Sequence, residues 1–524
     1  MKTSKLLIIF LLSYFISLQA QASIVKLNVE IAGTLTHLVG NDVNVITNLT
    51  LTGKLNGSDI KLIREMPNLS VLDIEGVDIV KGGDNYYEGL STEDGVVPAK
   101  MFYNHPKLTS VILPNTAAVM EGSVFYNCFE LLDVSIGDNL SGVGNYAFYS
   151  CEKLKNVKWG KKIEKIDNYA FYGCISLTDI VIPHGVESIG TSAFANCAGL
   201  KEVVIPENVF KIYGSAFENC IGLEEIVIPN NVVTVNSSVF KGCVQLKRAL
   251  IGDGVSTMGM DLFQGCTRLM EVTIGNEIKS VPMGTFEDCS ALENVKIGNN
   301  VCAIDEFAFT NCFNLKDITV SDENKFLSTI DGALYNKDKT TLILYPNKIS
   351  SVFTIPDGVV RTEKFAFRCP DLKCLIIPES LTEFPDSEDS YVFFNCENLT
   401  EIHCKNLISP RATKETFFGV NRDCKAIVPE GSLSQYENSE GWKKLMIVER
   451  GGTSIESITQ NEILVHSISN GIQIKTTKST PVSIYNISGQ KVYQSVIDGD
   501  HSVNLHIGFY IVETDKKSIK VVVK

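Results

Sequence analysis

The sequence predicts a mostly-β solenoid of stacked 23-residue repeats, followed by a small all-β sandwich. First, a pattern of the form Phe-x-x-Cys-x-x-Leu recurs at a constant spacing of 23 residues. Second, each copy contains short segments in which apolar and polar residues alternate, as in strands with one buried face. Third, the repeat stops near residue 450, and only strand-like alternation continues from there to the end.

The first 22 residues have the pattern of a signal peptide. Lys2 and Lys5 precede an apolar run at 6–18, and Ala20-Gln21-Ala22 forms a small-residue cleavage site. The apolar run is too short to span a membrane as a helix, and no later stretch is long enough. We therefore predict a mature chain that begins near Ser23, has no transmembrane segment, and is secreted or attached to the outer cell surface.

The composition is that of a folded protein, with 44% hydrophobic and 21% charged residues. Its formal net charge is -14. A nucleic-acid-binding protein needs a basic face to neutralise phosphates, so this charge argues against that class of partner. We expect no nucleic-acid partner.

The repeat is most regular between residues 102 and 309. Its Phe residues are 23 positions apart with no insertion between them: Phe102, Phe125, Phe148, Phe171, Phe194, Phe217, Phe240, Phe263, Phe286 and Phe309. A Cys follows each Phe by three positions, except in the first copy, where His105 takes that place. An L-x-x-[IV]-x-I segment, a turn and a V-x-x-[IV] segment complete the copy. A fixed period of this length indicates a solenoid, in which each repeat buries its apolar side against its neighbours.

Less regular copies extend the array on both sides of this block. Segments 46–51 and 69–74 carry the same strand pattern before it. After it the pattern continues around three leucines, Leu315, Leu372 and Leu399. Insertions at about 78–98 and 321–350 interrupt the array. We predict one solenoid over residues 23–449, with N- and C-terminal caps.

The full pattern, F-x-x-C-x-x-L-x-x-[IV]-x-I-P-x-x-[VI]-x-x-I, resembles the BspA-like class of leucine-rich repeats. Residues 324–346 are similar to the irregular unit of that family, and 427–449 are similar to its C-terminal cap. In that cap Tyr436 and Trp442 would cover the last repeat. The resemblance implies a leucine-rich-repeat solenoid that binds extracellular-matrix proteins of a host, or other cells.

The chain has 15 Cys, an odd number. Equivalent Cβ atoms of stacked repeats lie about 4.8 Å apart, whereas a disulfide needs about 3.8 Å. We call the Cys residues that follow each repeated Phe by three positions the ladder Cys. We therefore predict that they are small buried hydrophobic residues and that His105 is packed among them. A disulfide is left open among five Cys outside the ladder: Cys302, Cys369, Cys374, Cys404 and Cys424.

Residues 450–457 are predicted to be a linker, and 458–524 a β-sandwich of seven short strands. Segments 482–493, 508–512 and 520–524 resemble the C-terminal sorting domain of type IX secretion cargo. That resemblance implies export machinery as a partner and a role in sorting or anchoring. The alternative is a sandwich with no sorting role, and whether the domain is cleaved after export is left open.

The outward residues of the L-x-x-[IV]-x-I segments are the candidate binding site. Four consecutive repeats carry an aliphatic residue at one outward position, which we call the aliphatic strip: Val181, Val204, Val227 and Leu250. The neighbouring outward position is acidic in three of them, at Asp179, Glu202 and Glu225. Contiguous exposed apolar residues often mark a binding surface. The alternative is that β-branched residues are present only because they favour strands.

A second candidate is the insertion at 82–95, which contains Tyr86 and Tyr87. Long insertions in solenoids often line a functional face, and the alternative is a flap that caps the first repeats. Exposed aromatic residues in a cluster would favour glycan binding, but the outward strand positions carry none.

Catalysis and metal binding find no support in the motifs. The chain has no G-x-S-x-G, no H-E-x-x-H and no phosphate-binding glycine loop. His403-Cys404 suggests a metal-ligand pair, but the pair lies on the alternating strand pattern and Cys404 occupies an inward aliphatic position. We expect no enzyme, no cofactor and no metal. The predicted function is recognition or adhesion at the cell surface through protein ligands; the alternative is a structural or self-associating surface component without a specific ligand.

Overall fold

The computed structural model describes eight stretches of the chain and one further residue: 23–347, 350–387, 389, 391–450, 463–468, 471–486, 490–506, 508–514 and 518–523. The predicted signal peptide and residues 451–457 of the predicted linker lie outside them. The chain divides into two compact units, with the boundary after Arg450.

The first unit is the predicted solenoid. Each L-x-x-[IV]-x-I segment contributes one strand to a side that we call the first face. These strands are Ser23–Val29, Ile46–Leu55, Val71–Ile79, Ser110–Ile112, Asp133–Ser135, Asn156–Lys158, Asp179–Val181, Glu202–Val204, Glu225–Ile228, Arg248–Ile251, Glu271–Thr273, Asn294–Ile297, Asp317–Val320, Val352–Thr354, Cys374–Ile377, Glu401–Cys404, Lys425–Val428 and Met446–Glu449. Hydrogen-bonded neighbours are parallel, so equivalent residues of adjacent repeats pair, as Ile180 does with Val203. The alternation of apolar and polar residues in the sequence becomes an alternation of buried and exposed side chains: Ile180 and Val203 are buried, and the residues on either side of each are exposed.

The V-x-x-[IV] segments form a second face of short parallel strands. They are Val96–Val97, Val119–Met120, Gly142–Val143, Lys165–Ile166, Ser188–Ile189, Lys211–Ile212, Thr234–Val235, Thr257–Met258, Ser280–Val281, Ala303–Ile304 and Arg361–Thr362. The Phe-x-x-Cys segments form turns that we call the third face. Each rung of the solenoid therefore presents two strands and one turn.

Most turns of the third face contain two residues in the left-handed backbone region, one on each side of the repeated Phe. One lies two positions after the Phe, where the sequence supplies only Asn, Ser, Gly or Asp: Asn104, Asn127, Ser150, Gly173, Asn196, Asn219, Gly242, Gly265, Asp288 and Asn311. Gly adopts positive φ at no steric cost, and Asn and Asp tolerate it better than most residues. The local sequence thus specifies the turn in each copy.

The repeated Phe and Cys residues form two buried ladders. The Phe rings from Phe102 to Phe309 stack with centroids 5.0–5.9 Å apart. Every ladder Cys donates its S–H to the backbone carbonyl of the Phe in the preceding repeat, over 3.0–3.2 Å. The prediction of buried hydrophobic Cys is confirmed, but the S–H donor role was missed.

All 15 Cys are described and all are free thiols, so the disulfide left open by the sequence does not form in this structure. Cys396 continues the ladder, three residues after Phe393, and donates to the Phe367 carbonyl. Cys369 is buried and donates to the Asn347 carbonyl at 3.1 Å.

The N-terminal repeats close the solenoid with helices, which the sequence reasoning did not predict. Helices span Leu35–Val39 and Gly57–Glu65, and a 3-10 helix spans Gly40–Asn44. The buried carboxylate of Asp59 accepts from the backbone N–H groups of Gly33, Leu35 and Asn56, which fixes the start of the second helix. The first insertion is a hairpin of Gly82–Tyr87 and Leu90–Thr92 that packs on helix Gly57–Glu65.

The second insertion divides the apolar core of the solenoid. Its strands Leu327–Ile330, Ala333–Asn336 and Thr341–Leu344 are antiparallel, and the last pairs in parallel with Arg361–Thr362 of the second face. One buried apolar cluster runs from Val29 to Leu334, and another runs from Ala333 to Leu445. The insertion therefore lies at the boundary between the two apolar clusters and contributes side chains to each of them.

The C-terminal cap consists of helix Leu433–Glu437, the 3-10 helix Trp442–Lys444 and the strand Met446–Glu449. Tyr436 and Trp442 are fully buried. The Tyr436 hydroxyl donates to the Asn406 carbonyl at 2.9 Å, and Trp442 Nε1 donates to the Pro410 carbonyl at 2.8 Å. Both rings cover the last repeats, as the resemblance implied.

The second unit is β-rich, as predicted, with five strands in its described residues instead of the predicted seven short ones. They are Ile463–Ile468, Gly471–Asn486, Lys491–Asn504, Gly508–Thr514 and Ser518–Val523. The difference of two arises because Gly471–Asn486 and Lys491–Asn504 each run on as one long strand and stay paired on both sides of a register shift after Thr476. Its first part also pairs with Ile463–Ile468 and its second part with Gly508–Thr514, so one continuous sheet replaces separate short strands.

Within the described residues, no helix has the length and apolar character that a membrane crossing requires.

Candidate functional site

The aliphatic strip is exposed on the first face. The exposed fractions are 69% for Val181, 51% for Val204, 58% for Val227 and 43% for Leu250. Val181 pairs directly with Val204, and Val227 pairs with Leu250, so the side chains follow one another along the array. The structure therefore brings the predicted strip residues together at the surface.

The predicted acidic neighbours are also exposed, but their charges are not equivalent. Glu225 lies 3.7 Å from the guanidinium of Arg248, which also reaches Glu271 at 3.7 Å. In the described part of the chain, Asp179 and Glu202 have no basic side chain within ion-pair distance. The uncompensated negative charge beside the strip therefore lies at its Val181 and Val204 end.

A group of tyrosines on the third face was missed by the sequence reasoning, and we call it the tyrosine surface. One row follows the ladder Phe by one position: Tyr103, Tyr126, Tyr149 and Tyr172. Their rings stack with centroids 4.7–4.9 Å apart and planes within 12° of each other. A second, shorter row of Tyr146 and Tyr169 lies beside it at 5.9 Å. The sequence signal for this surface is the repeated Asn-Tyr-Ala-Phe-Tyr, which lies outside the strand segments.

Two of these tyrosines occupy unfavourable backbone positions. Tyr146 and Tyr169 have φ of 57° and 56°, in the left-handed region. Most other repeats place a short side chain or Gly there: Ser123, Ser192, Ser215, Ser238, Asp261 and Gly284. A left-handed residue with a Cβ costs about 1–2 kcal/mol, and such strain is concentrated at functional sites. The left-handed backbone conformation at these two positions would favour Gly or a short polar residue, so it does not explain why Tyr is found there.

The first insertion extends the tyrosine surface at its N-terminal end. The Tyr87 ring lies 5.8 Å from that of Tyr103, and the Arg64 guanidinium lies 4.2 Å from the centre of the Tyr87 ring. Tyr86 is buried instead, and its hydroxyl donates to the Ala99 carbonyl. The insertion thus combines both sequence-based alternatives, since Tyr86 packs it onto the first repeats and Tyr87 contributes to a surface.

A cavity of about 280 Å³ lies where the second insertion interrupts the ladders, next to Phe309. Arg368 lines it, and its guanidinium donates to the Glu306 carbonyl at 2.8 Å and to the Thr310 hydroxyl. Its Nε is buried and has no hydrogen-bond partner among the residues described, and burial lowers the pKa of Arg368 to about 10. Cys302 also lines the cavity, and its S–H donates to the Lys279 carbonyl. The Arg368 contacts tie the two halves of the solenoid together.

The histidines occupy different environments. His105 is buried with no partner for either ring nitrogen among the described residues, and burial lowers its pKa to about 4. His105 is therefore packed in the core, as the sequence predicted. His403 faces outward beside Glu401 and Cys374, while Cys404 is buried in the core as expected.

The sequence profile of the BspA type leucine rich repeat region, which covers six copies, matches residues 96–224, 211–339 and 344–430. No curated protein matches the chain in sequence.

Solved structures of several bacterial leucine-rich repeat proteins are similar to the chain. One from Bacteroides ovatus is 21% identical with a TM-score of 0.44, over 70% of this chain and 89% of its own. One from T. pallidum is 28% identical with a TM-score of 0.31, over 33% of this chain and 82% of its own. A leucine-rich cell surface protein from Faecalibacterium prausnitzii is 20% identical with a TM-score of 0.25, over 71% of this chain and 86% of its own.

Proposed function

The chain belongs to the BspA-type leucine-rich repeat family, and from this premise we propose that it is an exported, non-enzymatic protein whose solenoid binds protein ligands. Leucine-rich repeat solenoids are in general binding scaffolds with long regular surfaces. The observation that carries the proposal is the tyrosine surface, where two Tyr residues in adjacent repeats occupy left-handed positions at which most other repeats have a short side chain or Gly.

The tyrosine surface has the properties of a preformed protein-binding site. Tyr is enriched among the residues that dominate binding energy at protein interfaces. The rings already stack on one another, so a ligand would find their edges and hydroxyl groups fixed in place. A fixed side chain loses little conformational entropy on binding, which favours affinity.

The aliphatic strip is the second proposed contact region. It is apolar over four consecutive repeats, and a polar residue precedes and follows it, at Lys158 and Thr273. Asp179, Glu202 and Glu225 beside it favour a ligand that presents apolar and basic groups together. Strand propensity alone remains the competing explanation for its β-branched residues.

Features outside the solenoid support a location beyond the cytoplasm. Residues 1–22 have the pattern of an export signal. The C-terminal unit resembles a sorting domain, which makes export machinery a proposed partner and cell-surface attachment the proposed end point. The alternative function is a structural surface component that associates with itself and has no specific ligand.

The experiment is a binding assay of the chain from Ser23 onward against a panel of host matrix proteins and whole cells. One variant changes Val181, Val204, Val227 and Leu250 to Ser, and a second changes Tyr146 and Tyr169 to Ser. A matched control changes Thr273, Lys296 and Thr319, which occupy the strip position in later repeats, to Ser. We expect the parent and control to bind and at least one of the two surface variants to lose binding while remaining folded.

The alternative predicts a different result. Equal binding by all four proteins would remove both surfaces from the proposal. Absence of any ligand, together with concentration-dependent self-association in sedimentation, would support the structural component instead.

A further inference from the structure

Three metal-ligand side chains meet on the first face near the C-terminal cap. Cys374 begins the strand Cys374–Ile377, and Glu401 and His403 lie on the next strand, Glu401–Cys404. The two strands are parallel and place Cys374 directly opposite Glu401. One ligand atom from each of the three residues lies within 4.8 Å of the other two. The juxtaposition arises from strand pairing, so local spacing in the sequence does not reveal it.

We propose that Cys374, Glu401 and His403 bind one Zn²⁺ ion. A thiolate, an imidazole nitrogen and a carboxylate oxygen are the donors that Zn²⁺ takes in proteins, whereas Mg²⁺ and Ca²⁺ take oxygen donors. Three protein ligands leave the fourth tetrahedral position for water or for a donor atom of a bound partner. This site is separate from the two surfaces proposed for protein binding.

The geometry requires only small side-chain movements. Zinc bonds of about 2.0–2.3 Å place tetrahedral ligand atoms about 3.3–3.8 Å from each other. His403 Nε2 and Glu401 Oε2 are 2.9 Å apart, and all three ligand atoms fall within 4.8 Å. The residues that follow on each strand, Leu375 and Ile402, are fully buried, so the backbone that carries the ligands is held by the core. Side-chain rotation is therefore sufficient to close the site.

The surroundings allow an ion to enter and to be retained. The side chains of His403 and Glu401 are 16% and 29% exposed, so they are sheltered but reachable from solvent. Lys425 lies opposite Glu401 on the following strand but is exposed, and among the described contacts it forms no ion pair with Glu401. Burial and the charge of Glu401 raise the pKa of Cys374 to about 11, so a metal would have to displace its proton.

Among the described residues, Cys374 is the thiol that lies beside both an imidazole and a carboxylate. The ladder Cys are buried and donate to backbone carbonyls. Cys302 is exposed, but it belongs to no group of three potential ligands in the described structure. Cys302 is therefore a matched control for non-specific binding of a metal to an accessible thiol.

The test is a titration of the reduced, metal-free full chain with Co²⁺, which reports sulfur ligation through a charge-transfer absorption band in the near ultraviolet. We expect one equivalent to bind and one equivalent of Zn²⁺ to displace it. Cys374→Ser and His403→Gln should each weaken binding by more than about tenfold, and Cys302→Ser should leave it unchanged. Thermal unfolding of each variant without metal confirms that the fold is intact.

Three results would overturn the proposal. The first is the absence of a charge-transfer band in the parent chain. The second is a band that survives both Cys374→Ser and His403→Gln. The third is loss of the band in Cys302→Ser.

Discussion

The S–H group of Cys220 donates a hydrogen bond to the backbone carbonyl of Phe194, 3.2 Å away in the preceding repeat. The same carbonyl accepts the N–H of Cys197 in its own repeat. Each ladder thiol thus links two repeats through a carbonyl that is buried beside the Phe stack. We expect Cys220→Ala to lower the free energy of unfolding by about 1–3 kcal/mol, through the lost hydrogen bond and the cavity left behind. Chemical denaturation measures this, with the exposed Cys302→Ala as a control that should change stability by less than about 0.5 kcal/mol.

The rate at which each Cys thiol reacts with a reagent should follow its exposure to solvent. Burial raises the pKa of Cys197 and of Cys243 to about 12, so these thiols stay protonated and unreactive. In the native protein a disulfide reagent should modify Cys302 rapidly and Cys374 slowly, and all 15 thiols should react after denaturation. Counting modified thiols by mass spectrometry checks this. Rapid modification of any ladder Cys under native conditions would contradict it.

His105 should make stability depend on pH. Its folded-state pKa of about 4 lies below the ordinary value of about 6.5 that it regains on unfolding. The unfolded chain therefore binds more protons between these values, and the free energy of unfolding should fall by up to about 3 kcal/mol as the pH drops from about 6.5 to 4. Denaturation of the parent and His105→Cys across this range isolates the effect, because the variant lacks that part of the slope. The exposed His184→Asn should retain the full slope.

The backbone strain at Tyr169 predicts an unusual response to glycine. Tyr169→Gly removes a strained left-handed conformation, worth about 1–2 kcal/mol, and loses ring stacking of about the same size. The net change in the free energy of unfolding should be within about 1 kcal/mol. Tyr172→Gly loses similar stacking without relieving strain, since Tyr172 is not at a left-handed position. Denaturation of both variants should therefore rank Tyr172→Gly as the less stable, and the opposite order would refute the strain argument.

Arg368 should be irreplaceable by Lys. Its planar guanidinium donates to the Glu306 carbonyl and to Thr310 at once and lies 4.2 Å from the centre of the Phe365 ring. Lys lacks the fork geometry and loses the ring contact, so Arg368→Lys should lower the free energy of unfolding by about 2–3 kcal/mol. Arg248→Lys, at exposed ion pairs with Glu225 and Glu271, is the control and should change it by less than about 0.5 kcal/mol. Equal effects would show that the Arg368 contacts do not stabilise the junction.

The strict period explains why much of the solenoid could be predicted. Because equivalent residues recur every 23 positions, the alternation in one copy gives the orientation in all of them, and Val181 and Val204 are exposed as expected. The same reasoning placed Phe194 and Cys197 in the core. Outside the strict period the strands were still predicted, but the segments that connect them were not: the helix Gly57–Glu65 replaces the usual turn in the N-terminal repeats.

The two sites that sequence reasoning missed depend on neighbours in different repeats. Tyr146 and Tyr169 look like ordinary variation in one copy, and they become a surface only when the rings stack. Cys374 and Glu401 are separated by 27 residues in a part of the array where the spacing has changed, so no fixed period aligns them. Pairing between repeats, which brings both groups together, is a property of the folded chain.

Each repeat between Phe125 and Phe309 makes nearly the same contacts with the copy before it as with the copy after it. An in-frame gain or loss of one whole copy would therefore restore every stacked Phe and nearly every Cys hydrogen bond at the new junction. The helical N-terminal cap, the hairpin at 327–344 and the Trp442 cap have no such interchangeable neighbours. Recombination within the gene can thus lengthen or shorten the middle of the array, and each added copy brings its own surface residues. The two caps and the hairpin at 327–344 stay constant.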